Sequence, residues 1–310
     1  MMPDSLTSQW ARPTTILVAT DLSDLNHLMP FALEQASEAG ARLLLLHVLS
    51  TTEANNNIDG TTIPYFDASG TLNLAEQMLQ SWCEAAVQRG IRCDGLLREG
   101  HPAYQIAGAA RLFHADRVLI GTRSQHTQDK MRLGSVAEQV LRSVYAPVIT
   151  VGPDAHLPVD AGEDRVVLYA TTLREASRQG ASFACQAAAA LKARLVLLHV
   201  LDPDSTMAPM ETAAGRELRQ LAGDARDPGS PAIEPVAVCG NPTIEILATA
   251  AERKASMIVL GASHQPAFES IARDRTAYRV LACARCPVLT LHAPLPAAEE
   301  DNRETAAAHQ

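Results

Sequence analysis

The chain has 310 residues, 47% of them hydrophobic, 20% charged and only 4% aromatic, and carries a formal net charge of −9. That length accommodates two domains of ordinary size with aliphatic cores, and the acidic balance speaks against non-specific binding to nucleic acid or to an anionic membrane. The start, MMPDSLTSQWARPTT, lacks the basic and apolar stretches of a secretory signal, and the longest aliphatic run, 43–46, is strand-sized, so a cytoplasmic protein with six reduced cysteines is expected.

The first predicted element is a strand, Thr15–Thr20, ended by Asp21. A helix follows over 26–38, stopped by Gly40, and then a second buried strand over 41–49. Residues 50–70 are polar and turn-rich, with Asn55-Asn56-Asn57 and Asp59-Gly60, and read as a long exposed loop. Helical periodicity returns over 72–89 and stops at Gly90. Residues 91–98 read as a third strand, and Gly100-His101-Pro102 turns the chain into a helix over 104–113. The fourth strand, 117–120, ends at Gly121, and the fifth, Val148–Val151, follows Pro147.

Between those last two strands lies the stretch with most chemical content. A loop carrying Arg123, His126, Lys130 and Arg132 closes on Gly134-Ser135, after which Val136, Val140, Leu141 and Val144 fall on one helical stripe. A helix that starts after a glycine presents unpaired N–H groups and the positive end of its dipole, and the glycine lets a ligand come close. With basic residues beside it, this reads as an anion site, most simply for phosphate. The bland reading is an ordinary helix cap beside a solvated basic loop.

The same series then repeats. Residues 193–201 match 41–49 in eight of nine positions, at an offset of 152. Gly240-Asn241-Pro242 repeats Gly100-His101-Pro102, Gly261 repeats Gly121, and Pro287-Val288-Leu289-Thr290 repeats Pro147-Val148-Ile149-Thr150, all at an offset of 140. The second copy therefore has a shorter connection after its second strand. Two copies of one βα domain are expected, over 13–153 and 163–294, with a polar, acidic and disordered tail at 295–310. The fold class is α/β: two tandem, doubly wound, five-stranded parallel-sheet domains. Such sheets bind ligands beyond the carboxyl ends of their strands, where strand order reverses, and Asp21, Val48 and Gly121 all stand at strand C-termini.

These residues resemble the universal stress protein family, twice and over nearly the whole chain. The family's nucleotide-binding motif G-x2-G-x9-G-S/T falls on Gly121, Ser124, Gly134 and Ser135, with serine at the second glycine. Its aspartate after the first strand falls on Asp21 of Ala19-Thr20-Asp21, and its adenine-contacting valine on Val48. The resemblance implies a Rossmann-like universal stress protein fold and ATP as ligand, with Mg2+ as a companion ion. Ala19, Asp21 and Val48 would hold the nucleoside side, and Gly121, Arg123, Ser124, Gly134, Ser135 and Val136 the phosphates. In the second copy Thr172 replaces Asp21, His264 the second glycine position, and Asp274-Arg275 the Gly134-Ser135 pair. A carboxylate at a helix start serves the dipole as a phosphate would, so the second half is expected to bind no ATP. The family pairs through its last strand; 148–151 and 288–291 resemble that strand, which implies an intramolecular pseudo-dimer, with pairing of whole chains left open.

The function implied is an ATP-binding stress-response regulator or switch, working through a protein partner the sequence does not identify and without robust catalysis. A slow ATPase or phosphotransferase is one alternative; a scaffold or sensor of another small ligand is the other. No catalytic or metal motif is present. Asp21, Ser23 and Asp24 are spaced to help hold a metal, but such spacings are common in loops. Cys283-Ala284-Arg285-Cys286 has redox or zinc spacing but no second half-site, and reads as buried small residues. Cys83, Cys93, Cys185 and Cys239 read as single thiols, and His47 and His199 as structural histidines.

Overall fold

A computed structural model of the protein describes residues 13–50, 68–122, 133–156, 165–174, 177–203, 208–225, 229–262 and 275–292. The aliphatic runs become strands because each has apolar layers to fill on both sides. In the first half β1 (Thr15–Thr20), α1 (Leu25–Ala39), β2 (Arg42–Leu49), α2 (Ala68–Gln88), β3 (Cys93–Glu99), α3 (Pro102–Leu112), β4 (Arg117–Gly121), α4 (Ser135–Ser143) and β5 (Val148–Val151) alternate. The second half repeats them as β6 (Val166–Ala170), α5 (Ser177–Ala190), β7 (Arg194–Leu201), α6 (Ala213–Asp224), β8 (Ile233–Cys239), α7 (Pro242–Glu252), β9 (Met257–Ala262), α8 (Arg275–Cys283) and β10 (Val288–His292). Among the described residues no helix is long and apolar enough to cross a membrane.

Several boundaries differ from the sequence reading: α2 begins at Ala68, inside the stretch read as loop, and two other starts move for clear local reasons. The third strand starts at Cys93, because Ile91 is spent closing α2 through its N–H to Ala86 O at 3.0 Å. α3 starts at Pro102, which suits the first helical turn where an N–H would go unpaired anyway.

The strands form one ten-stranded sheet in the order β3-β2-β1-β4-β5-β10-β9-β6-β7-β8. Within each half all pairs are parallel; the halves join by an antiparallel pair, with Val288, Leu289 and Thr290 opposite Thr150, Ile149 and Val148. Alternation of side chains then sorts the cores. Ile16, Val18, Leu43, Leu45, Ile149, Val167, Leu195 and Leu289 face one layer, covered by α1, α2, α5 and α6. Leu17, Ala19, Leu44, Leu46, Val118, Leu168, Val196 and Val288 face the other, under α3, α4, α7 and α8. Each layer runs through both halves. The joint also has a polar part: Arg165, just before β6, reaches Glu34 at 2.7 Å and Glu38 at 3.0 Å on α1.

Candidate functional site

Strand order reverses between β1 and β4: the chain goes from β1 outward to β2 and β3, then returns to β4 on β1's other side. The helices that follow β1 and β4 lie in opposite layers, α1 in one and α4 in the other, and at such a switch point a crevice opens beyond the strands' carboxyl ends. Asp21 follows β1 and is exposed; its Oδ1 accepts from Ser23 N at 2.9 Å and Ser23 Oγ at 2.6 Å, a turn that fixes the carboxylate. Ala19, two residues earlier, is buried in the layer under α3 and α4, so it shapes the floor.

Val48 lies one residue past the last β1–β2 pair, Thr20 opposite His47. Backbone groups of alternate residues face opposite neighbours. Arg42 N–H bonds Thr14 O on β1's side, and Leu49 O is taken by Gly100 N–H on β3's side. Val48 therefore faces β1's side. The next donor along that strand, Leu22 N–H, is already given to Thr20 Oγ1 at 2.8 Å. The Val48 carbonyl is thus turned to the crevice.

On the β4 side, Gly121 ends the strand and is buried. Gly134 N–H bonds Thr122 O at 2.8 Å, which ties the start of α4 to the end of β4. Gly134 has an extended backbone, φ −65 and ψ 147, and as the N-cap of α4 it has no side chain of its own to cap the helix. Its absence of a side chain thus serves close approach rather than a left-handed angle. Ser135 is exposed and Val136 half-buried on the first turn. Arg123 and Ser124, with His126, Lys130 and Arg132, lie outside the described residues, as do His264 and Asp274 of the second half.

The structure adds a residue that sequence reading assigned only a loose metal role. Asp24 is 8% exposed and turned inward. Thr20 Oγ1 donates to its Oδ1 at 2.5 Å, and a Cβ on Gly121 would collide with its Oδ2 and lie 3.3 Å from its Cγ. The motif's first glycine is therefore required by Asp24 behind it. Burial pushes the Asp24 carboxyl up to about 7, against the lowering effect of the Thr20 hydrogen bond and with the Asp21 charge adding to the rise. Asp21 and Asp24 point to different environments, and among the described residues no cluster of three metal-ligating side chains occurs. The one signal for Asp24 in the sequence is the Thr-x-Leu turn before it, which recurs at Thr171-Thr172-Leu173. Both leucines have positive φ, 72 and 56, and both N–H groups go to the threonine hydroxyl. In each half a histidine Nδ1 sits 2.9 Å from the threonine carbonyl, His47 on Thr20 and His199 on Thr171, so these histidines tie β2 and β7 to their neighbours.

One expectation is corrected. Cys83 and Cys93 are not isolated: their sulfurs approach to 3.1 Å, because α2 packs on β3 and brings together thiols from two elements. Cys283 and Cys286 show no such contact, and burial pushes the Cys286 thiol up to about 12.

The family model described as "Universal stress protein family" matches residues 13–152 and again 165–292. A universal stress protein of Thermus aquaticus is 32% identical over 139 residues, 44% of this chain and 97% of that protein. One of Methanocaldococcus jannaschii is 26% identical over 145 residues, 44% of this chain and 80% of its own. In fold, the crystal structure of a universal stress protein from Archaeoglobus fulgidus superposes with a TM-score of 0.70 at 21% identity, covering 91% of this chain and 97% of that one. A functionally unknown protein of Pseudomonas aeruginosa superposes at 0.63, with 16% identity, over 99% of this chain and all of the other.

Proposed function

Since the chain belongs to the universal stress protein family over both of its halves, we propose that its first half binds ATP at the β1–β4 crevice and that occupancy sets a regulatory state without robust turnover. The observation that carries this reading is the group of ligand-ready features on one sheet edge: exposed Asp21, the outward Val48 carbonyl and the start of α4 at Gly134, whose N-cap has no side chain. Each matches a different part of the nucleotide. The Val48 carbonyl accepts from an adenine amino group, the Asp21 carboxylate accepts from ribose hydroxyls, and the first-turn N–H groups of Gly134, Ser135 and Val136 meet phosphate oxygens at the positive end of α4. Arg123 and Ser124 belong to the connection between β4 and α4 and complete the phosphate side. A Mg2+ ion accompanying the nucleotide would take its ligands chiefly from phosphate oxygens and water.

The second half has Thr172 where Asp21 stands, and Asp274 where Gly134 stands. A carboxylate just before a helix serves the dipole as a phosphate would, so on this reading the second half carries no nucleotide. The ATP state of the first half would then be read by a protein partner, in the manner of a population shift between two conformations.

The test is to denature freshly purified protein, identify the released nucleotide by mass spectrometry, and titrate the emptied protein with ATP. Adenine nucleotide at about one per chain is expected, with affinity reduced at least about tenfold in Gly134→Asp, which puts a charge in the phosphate's place. Protein that is isolated empty and takes up no added ATP would refute the reading.

A further inference from the structure

Cys83 and Cys93 come from different elements, yet Cys93 S–H donates to Cys83 Sγ across 3.1 Å. Helix and strand geometry produce this approach. Leu79 and Cys83 are one turn apart on the face of α2 that meets β3, while Cys93 and Gly95 point to the same face of the strand. Gly95 lets the helix settle: a Cβ there would lie 3.3 Å from Leu79 Cβ and 3.8 Å from Cys83 Sγ. Both thiols are half-buried, and β3 is an outermost strand of the sheet, so small solutes reach them. A disulfide places its sulfurs about 2.05 Å apart, so closure takes a movement of only about 1 Å.

The two thiols are also unequal. The S–H donated by Cys93 holds the Cys83 thiol below its ordinary range, outweighing burial and the nearby Asp94 charge. Cys93, as the donor, is held above that range, and burial adds to the effect. Two of the other cysteines differ in setting: Cys185 gives its S–H to Ala225 O at 3.4 Å, and Cys286 is buried. In the second half Ile233 stands at the position of Cys93, at the offset of 140 that relates the two copies.

We infer that Cys83 and Cys93 form a redox-active dithiol that small hydroperoxides oxidise to an intrachain disulfide, stapling α2 to the edge strand β3. The Cys83 thiolate attacks the terminal peroxide oxygen. The O–O bond breaks, the leaving alkoxide or hydroxide takes up a proton, and Cys83 becomes a sulfenic acid. Cys93 then loses its proton and attacks the Cys83 sulfur; the S–O bond breaks and the departing hydroxide leaves as water. Two thiols give up two electrons to one peroxide, yielding a disulfide, an alcohol or water, and one further water. The staple closes in the half that carries the crevice, on the strand next to β2 and its Val48. This modification stands independently of whether ATP binds.

The test uses the full reduced chain, treated with a few equivalents of hydrogen peroxide, quenched with an alkylating agent and digested with trypsin. Cleavage after Arg42, Arg89, Arg92 and Arg98 places Cys83 in peptide 43–89 and Cys93 in peptide 93–98. The expected product is those two peptides linked, about 2 Da lighter than their sum, in a chain that runs as a monomer on a non-reducing gel and regains both thiols with dithiothreitol. Cys93→Ser should accumulate sulfenic acid at Cys83, trapped by a cyclic 1,3-dione, and Cys83→Ser should label at least about tenfold more slowly at Cys93. Recovery of both peptides unlinked and alkylated, or linkage only between two chains, overturns the proposal. Equal labelling of the two variants overturns the assignment of Cys83 as the attacking thiol.

Discussion

Asp24 shows how one residue can be set by the space a glycine leaves. Its carboxyl is enclosed by Thr20 and by Gly121, and burial raises it from 3.8 to about 7. The folded chain thus holds this proton more tightly than the unfolded chain, whose aspartates titrate near about 3.9. The stability contributed by Asp24 is therefore fully present below about pH 4 and falls as pH rises to about 7, above which the loss is complete. At about 1.4 kcal/mol per unit, the ceiling on that loss is about 4 kcal/mol. Asp24→Asn keeps an oxygen for the Thr20 hydroxyl and removes the charge. Its melting temperature should match wild type near about pH 4 and exceed it near about pH 8. Parallel melting curves for the two proteins across that range would mean that burial does not govern this carboxyl.

At the scale of elements, α2 on β3 is a contest between propensity and space. Gly95→Val places a β-branched residue on an edge strand, which propensity favours. It also adds three carbons where the first alone would lie 3.3 Å from Leu79 Cβ, an atom fixed to the helix backbone. Space wins in this case, because α2 has to lift as a body. Urea unfolding should show a loss of about 1–3 kcal/mol, and the yield of the Cys83–Cys93 disulfide should fall with it; unchanged stability would show that α2 does not depend on that glycine. This contact also marks what was legible beforehand. β1 and β5 have the bounds that their aliphatic runs announce, and the repeat of 41–49 at 193–201 located β2 and β7 together. The positions of Asp21, Val48, Gly121 and Gly134 at strand and helix ends were equally readable, since periodicity and turn residues are local. The meeting of Cys83 with Cys93 was not, because it depends on how closely a helix crosses a strand. The inward turn of Asp24 was hidden for a similar reason: nothing between Asp21 and Asp24 in sequence says that one faces water and the other a glycine in β4.

At the scale of the molecule, two readable five-stranded sheets become one sheet of ten, and the physical reason is the edge of β5. Ile149 is fully buried, with apolar layers on both faces of its strand. Without β10, that strand would offer an unpaired, apolar edge to any other chain. The second half covers it, with Leu289 directly opposite Ile149 and Thr150 Oγ1 donating to Val288 O at 3.3 Å. Because each core layer passes through the joint, and Arg165 ties the second half to Glu34 and Glu38 of the first, the halves share their cohesion. Wild-type protein should therefore unfold in one calorimetric transition, with calorimetric and van't Hoff enthalpies equal. Leu289→Asp buries a carboxylate with no cation in the strands beside it, and should cost more than about 4 kcal/mol or split the transition in two. Two independent transitions in wild type, or a variant that melts unchanged, would show that the halves are merely adjacent. Whatever it binds, the second half thus has a physical task, which is to complete the sheet on which the first half's crevice is built.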